Sequence, residues 1–130
     1  MSTTPRAKCR ILVIDDDAAL RDILSLSLAE EGYDVRVAEN GAVAMEILKT
    51  EVFGVFLVDL VMPKMDGLRF LTWLRTEAKN TAPALVFSGS FDARGGIEKE
   101  ALAAGATALL IKPVDFPVLL KTLDRLVSRA

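Results

Sequence analysis

Short runs of consecutive apolar residues alternate along this chain with longer stretches in which apolar residues recur every three or four positions. The short runs, rich in β-branched and aromatic types, are typical of strands buried on both faces of a parallel sheet. Together with the alternating pair Val35 and Val37, they predict five strands, at residues 11–14, 35–37, 55–58, 84–87 and 107–111. The longer stretches predict five helices, beginning at Ala18, after Asn40-Gly41, after Gly67, at about Ile97 and at Phe116.

The helical spacing also predicts which side chains face the core. Three stripes are the clearest: Leu20, Ile23, Leu24 and Leu28 in the first helix, Leu68, Leu71, Trp73 and Leu74 in the third, and Phe116, Leu119, Leu120, Leu123 and Val127 in the last. Glycines Gly95 and Gly96 disfavour a helix that contains them, so the fourth helix is predicted to start after them and to end at Gly105.

Five repeats of strand then helix require crossover connections, which join parallel strands. The predicted fold class is therefore α/β, a doubly wound five-stranded parallel sheet in the order 2-1-3-4-5 with five helices, as in flavodoxin-like proteins. A length of 130 residues fits one domain. Residues 1–8, which are polar and contain Pro5, are expected to form a flexible N-terminus before a single domain over 9–130.

Polar residues stand where four of the predicted strands end. Asp15 and Asp16 follow the first strand, Asp59 the third, Ser88 the fourth and Lys112 the fifth. Each alone has a simpler explanation, such as a helix cap, a solvated hydroxyl or a loop lysine. Together they are expected to meet, because the carboxyl ends of parallel strands share one edge of the sheet, where such folds bind ligands.

Carboxylates crowded at one edge repel one another unless a cation compensates them, and Mg²⁺ prefers carboxylate and water oxygens. A lysine ammonium and a serine hydroxyl nearby would complete a site for a tetrahedral dianion. In that site Asp59 would be the nucleophile that forms an aspartyl phosphate.

Composition removes several other classes of function. The chain has no histidine, which excludes Ser-His and Cys-His nucleophile pairs, and its single cysteine, Cys9, cannot form an internal disulfide. The net charge of −2 and the scattered basic residues argue against direct nucleic-acid binding. No apolar run is long enough for a membrane span, so the protein is expected to be cytoplasmic with no membrane partner.

The motifs from Ile11 to Asp16, from Asp59 to Pro63, at Asp66-Gly67, at Ser88 and at Lys112-Pro113 resemble those of the receiver domains of bacterial two-component response regulators, the CheY-like family. The resemblance covers nearly the whole chain. It implies that Asp59 accepts a phosphoryl group from the phosphohistidine of a histidine kinase or histidine phosphotransfer protein.

The resemblance also implies roles for the neighbouring residues. Asp16 would bind Mg²⁺ directly, Asp15 through water, and the backbone carbonyl of Val61 would be a third protein ligand beside Asp59. Ser88 and Lys112 would contact the phosphoryl oxygens, Gly89 would leave room for the donor, and the peptide before Pro113 would be cis. The chain would be a phosphoacceptor that assists its own phosphorylation and dephosphorylation, not a turnover enzyme.

Three positions depart from the family pattern. Leu109 stands where many members carry an aromatic residue that moves inward with the hydroxyl residue, so a switch through Ser88 and Leu109 would involve repacking of an aliphatic side chain. Val61 and Ser90 flank the path of the attacking water and offer neither an acid nor an amide. The output is expected at a protein-binding surface on the fourth helix, fifth strand and fifth helix, for a downstream partner or effector domain.

Three alternatives stay open at this point. One is a receiver-like binding module that is never phosphorylated. Another is a Mg²⁺-dependent aspartyl-phosphate phosphatase or mutase, which resembles a pattern with a second aspartate two residues after the nucleophile, where this chain has Val61. The third is that the chain is part of a longer regulator or hybrid kinase.

Overall fold

The computed structural model describes residues 9–60, 67–88 and 96–128. The five strands are β1 (Arg10–Ile14), β2 (Asp34–Ala38), β3 (Val55–Asp59), β4 (Ala84–Ser88) and β5 (Ala108–Ile111). The five helices are α1 (Ala18–Glu30), α2 (Gly41–Ile47), α3 (Gly67–Thr76), α4 (Gly96–Ala104) and α5 (Phe116–Ser128). All strand pairs are parallel, in the order β2-β1-β3-β4-β5. The predicted fold class and strand order are confirmed.

Two apolar cores lie on the two faces of the sheet, because successive side chains of a strand point to opposite faces. On one face Leu12, Phe56 and Val86 pack with residues of α2, α3 and α4. On the other face Ile11, Leu57 and Phe87 pack with residues of α1 and α5. Strands that face helices on both sides have no polar face, which explains why the sequences of β1, β3 and β4 contain nearly unbroken apolar runs.

Burial falls from the centre of the sheet to its edges. Every residue of β3 and β4 is buried, whereas β2 and β5, the edge strands, are mostly half-buried or exposed. The register places Ile14 beside Val58, Asp59 beside Phe87 and Ser88 beside Ile111. The carboxyl ends of the four strands β1, β3, β4 and β5 therefore reach the same edge of the sheet.

Helix ends follow local side-chain chemistry. Asp17 caps α1, since its Oδ1 accepts a hydrogen bond from the Leu20 N–H at 3.2 Å, and Asn40 caps α2 through the Val43 N–H at 2.9 Å. Gly105 follows α4 with a φ of +117°, the left-handed conformation that suits glycine after a helix. α4 begins at Gly96, one residue earlier than the spacing predicts.

One expectation about the buried stripes is wrong. Ile23 is 59% exposed, because α1 contacts the sheet along a narrow stripe that buries Leu24 and Leu28. In α3 the buried residues are Gly67, Phe70, Leu71 and Leu74, while the predicted Leu68 and Trp73 are half-buried and pack against the same core. Helical spacing alone does not determine how wide the buried stripe is, because that width depends on the neighbouring elements.

The predicted flexible segment at residues 1–8 lies outside the described residues. Of the helices within 9–60, 67–88 and 96–128, none is both long enough and apolar enough to cross a lipid bilayer.

Candidate functional site

Three carboxylates meet at the carboxyl edge of the sheet. Asp15 and Asp16 follow β1 directly, and Asp59 is the last residue of β3. One carboxylate oxygen from each residue lies within 4.8 Å of the others. Asp15 is fully buried and Asp59 is only 6% exposed, whereas Asp16 faces solvent. The structure thus brings together acids that are more than forty residues apart in the chain.

Lys112 supplies positive charge to this cluster. Its Nζ lies 3.2 Å from Asp15 Oδ2 and 3.4 Å from Asp59 Oδ2. The Lys112 N–H donates to the Ser88 carbonyl at 2.7 Å, which fixes the backbone of Lys112 at the end of β4, and the Lys112-Pro113 peptide is cis. Partial burial by itself would lower the pKa of Lys112, but the charges of Asp15 and Asp59 outweigh it and raise the pKa. The ammonium is therefore charged beside the two acids.

Asp15 presents one oxygen to the cluster and uses its other groups for anchoring. Its N–H donates to the Ala38 carbonyl at 3.1 Å, and its Oδ1 accepts from the Asp17 N–H at 2.9 Å. Oδ2 is buried and accepts no hydrogen bond from the described residues, so the contact with Lys112 is an ion pair rather than an aligned hydrogen bond. A buried carboxylate oxygen without a donor, next to two further carboxylates, fits a hard divalent cation such as Mg²⁺.

Ser88 completes the described part of the site. It is the last residue of β4 and is buried, and its carbonyl holds the backbone of Lys112. Its neighbour in the chain, Phe87, pairs with Asp59 in the register of β3 and β4. Val61, Gly89 and Ser90, to which the sequence assigns further roles, lie outside the described residues.

The sequence model of a protein family, the response regulator receiver domain, matches residues 11–124 of this chain. The chain belongs to this family.

Similar proteins agree with this assignment. The transcriptional regulatory protein ZraR of Salmonella typhimurium is 37% identical over 124 residues, which are 95% of this chain and 27% of ZraR. The chemotaxis protein CheY4 of Vibrio cholerae has a solved structure that superposes with a TM-score of 0.83 at 31% identity, over 91% of this chain and 98% of CheY4. This receiver chain therefore spans about a quarter of the length of ZraR and nearly all of CheY4.

A second solved structure was determined with bound ligands. The response regulator protein TrrA of Thermotoga maritima, solved in complex with Mg²⁺-BeF, superposes with a TM-score of 0.78 at 27% identity, over 91% of this chain and 98% of TrrA. The fold of this receiver is thus similar to that of a protein whose structure was solved with Mg²⁺ and a fluoroberyllate.

Glycine at position 67 has a structural role that its place in a turn motif did not reveal. A Cβ on Gly67 would lie 2.4 Å from the Asp59 carbonyl oxygen and 2.7 Å from the Leu60 Cα. The Gly67 N–H also donates to the Leu60 carbonyl at 2.8 Å. The first turn of α3 therefore packs directly on the backbone that carries Asp59, an approach that only glycine permits.

Leu109 lies where the sequence places a switch residue. It sits in the middle of β5, pairs with Val86 of β4, and packs half-buried against the core formed with α2, α3 and α4. Ile111, two residues further along β5 and paired with Ser88, is exposed. The strand thus links the serine of the site to both the core under α4 and the outer surface.

Sequence reasoning missed one residue next to the site. Arg21 of α1 donates from its guanidinium to the Asp15 carbonyl at 2.7 Å. The only sequence signal was its position one helical turn after the Asp17 cap, from which a long side chain can reach back to the preceding loop.

Proposed function

We propose that Asp59 of this receiver domain accepts a phosphoryl group from the phosphohistidine of a histidine kinase or histidine phosphotransfer protein, in a Mg²⁺-dependent reaction. The observation that carries the proposal is the Asp59 carboxylate itself, 3.4 Å from the Lys112 ammonium and clustered with Asp15 and Asp16. A nucleophile beside a fixed cation, in a buried corner, is a site prepared for developing negative charge.

In the transfer, a carboxylate oxygen of Asp59 bonds to phosphorus while the bond from phosphorus to the donor imidazole nitrogen breaks. The imidazole leaves with the electron pair of that bond, and Asp59 becomes an acyl phosphate. Lys112 would contact a phosphoryl oxygen in place of the free carboxylates, and the Ser88 hydroxyl would donate to another. Asp15, Asp16 and Asp59, with the Val61 carbonyl, would hold Mg²⁺, which supplies positive charge against the phosphoryl oxygens.

The product stays attached to the protein, so the chain acts once per phosphoryl group, as a phosphoacceptor that assists its own phosphorylation and hydrolysis. A phosphatase or mutase would need an acid near the leaving oxygen, and Val61 provides none. A binding module that is never phosphorylated would not need two buried carboxylates with a third beside them and a lysine, since like charges close together are unfavourable. The expected cytoplasmic location stays a prediction.

The test is labelling of the full chain with acetyl phosphate, with and without Mg²⁺. Asp59→Asn should abolish labelling, because the amide is not a nucleophile. Asp22→Asn is the matched control, since Asp22 is an exposed aspartate on α1, and it should label like the native protein. Unchanged labelling of Asp59→Asn would refute the proposal.

The output surface is proposed to lie on α4, β5 and α5 and to bind a protein, either a separate partner or an effector domain. Among the described side chains, each of the three elements exposes a large apolar one: Leu102 in α4, Ile111 in β5 and Val118 in α5. Phosphorylation would act through Ser88, whose strand neighbour is Ile111, and through repacking of Leu109 against the core under α4. A ligand shifts such an equilibrium only by its different affinity for the two states.

Amide hydrogen exchange with and without Mg²⁺ and beryllofluoride tests the output surface. We expect protection to change in α4 and β5, at residues 96–104 and 108–111, as well as near Asp15 and Asp59. The strand β2, at the far edge of the sheet, is the internal control and should not change. Changes restricted to the loops of the site would indicate a phosphate sink without a switched surface.

A further inference from the structure

We infer that Arg21 is a positioning residue for the proposed Mg²⁺ site, through its hydrogen bond to the backbone of Asp15. This inference rests on the proposed function. The Arg21 Nη1 lies 2.7 Å from the Asp15 carbonyl oxygen, the short distance expected of a charge-assisted hydrogen bond. The side chain is half-buried against the loop, and it reaches back six residues along the chain to this carbonyl.

With this contact, all but one of the polar atoms of Asp15 have a hydrogen-bond partner. Ala38 accepts from its N–H, Asp17 donates to Oδ1, and Arg21 donates to its carbonyl. Only Oδ2 accepts no hydrogen bond from the described residues. Two of these contacts hold the backbone of Asp15 and one holds its carboxylate, and Oδ2 is then 3.2 Å from the Lys112 Nζ.

The position of Arg21 is not explained by the stability of α1. The residue lies in the first turns of the helix, where its N–H donates to the carbonyl of the cap residue Asp17 at 3.0 Å. The N-terminus of a helix carries partial positive charge and disfavours a cation. Contact with the carbonyl of Asp15, beside the acidic cluster, supplies the compensating interaction.

Two effects of Arg21 on a bound cation oppose each other. Its positive charge repels Mg²⁺, but the side chain is half-exposed and solvent screens that repulsion. Its hydrogen bond holds the loop that carries two of the carboxylates, and loss of contacts that orient metal ligands typically weakens metal binding about tenfold to a hundredfold. The positioning effect should therefore be the larger.

The experiment is calorimetric titration of the full chain with Mg²⁺, for the native protein and for Arg21→Gln, Arg21→Lys and Arg125→Gln. Arg21→Gln should bind Mg²⁺ about tenfold more weakly. Arg21→Lys, which keeps the charge and one donor group, should fall between Arg21→Gln and the native protein. Arg125→Gln, which removes an exposed arginine of α5, should match the native protein.

A kinetic measurement separates positioning from a general loss of structure. The Mg²⁺ concentration for half-maximal labelling by acetyl phosphate should rise by the same factor in Arg21→Gln, while the rate at saturating Mg²⁺ stays near that of the native protein. Unchanged or tighter Mg²⁺ binding by Arg21→Gln would overturn the inference. If Arg21→Gln does not fold, Arg21→Lys decides: weaker binding than native supports the inference and equal binding overturns it. Absence of Mg²⁺ binding by the native protein would instead refute the metal in the proposed function.

Discussion

Lys112 and Arg75 are two half-buried cations near opposite ends of the strands, and their surroundings differ. Lys112, at the carboxyl end of β5, lies between the carboxylates of Asp15 and Asp59. Arg75, in the last turn of α3, donates to the carbonyls of Asn80 and Ala82 before β4 and twice to the carbonyl of Gly105 before β5. In the described part of the chain, all of its hydrogen bonds go to backbone carbonyls.

The two environments shift the pKa values in opposite directions. Burial lowers the pKa of the Arg75 guanidinium, which has no carboxylate partner among the described residues, whereas the two acids outweigh burial and raise the pKa of Lys112. The guanidinium of Arg75 donates to backbone carbonyls and so connects α3 to the segments before β4 and before β5, which is a structural role. An ammonium held among carboxylates can exchange them for the oxygens of an incoming phosphoryl group. The same charge therefore stabilises the fold at one end of the sheet and serves the proposed chemistry at the other.

The largest effect on stability should come from Arg75→Met, which keeps the apolar stem and removes the guanidinium. It leaves three carbonyls without their donor, and we expect it to reduce the free energy of unfolding by about 3 kcal/mol. Urea denaturation measures this loss. Mg²⁺ binding by the folded variant should be unchanged, and the same substitution at the exposed Arg125 of α5 should cost little. A loss below about 0.5 kcal/mol, within the usual range of surface substitutions, would show that the hydrogen bonds of Arg75 do not stabilise the fold.

A smaller effect is expected from Lys112→Ala, which should keep the fold. Without Mg²⁺ the variant should lose about 1 kcal/mol of stability, because the buried carboxylates lose their compensating charge while the partial exposure of the site limits the penalty. Saturating Mg²⁺ should remove most of this difference, since it supplies the missing charge. Phosphorylation of the variant should change amide-exchange protection in β5 less than phosphorylation of the native protein does. A variant that fails to fold even with Mg²⁺ would assign Lys112 a mainly structural role.

The pH dependence sharpens the same comparison. The pKa of Lys112 is raised in the folded state, so its stabilising contribution is complete below the unfolded pKa and is lost as pH rises through the folded pKa. The stability difference between the native protein and Lys112→Ala should therefore persist to about pH 10 and shrink above it. The difference between the native protein and Arg75→Met should not shrink in that range, because arginine stays protonated.

Much of this molecule could be predicted from local patterns. Apolar runs located the strands, and their alternation with helical stretches implied parallel pairing, which in turn placed Asp15, Asp59 and Lys112 at one edge. The prediction failed where burial depends on neighbours. Ile23 has the spacing of a core residue and is exposed, and Phe70, which the predicted stripe omits, is fully buried.

The sequence by itself determined the order of elements and the kinds of side chain at the strand ends, because strand and helix periods are local properties and parallel topology follows from their alternation. Only the tertiary structure decided how these groups meet. The ion pair between Asp15 Oδ2 and Lys112, the hydrogen bond from Arg21 to the Asp15 carbonyl and the hydrogen bonds from Arg75 to the Gly105 carbonyl depend on distances of a few tenths of an ångström. Such distances are determined by packing of the whole sheet and its helices, and no local pattern records them.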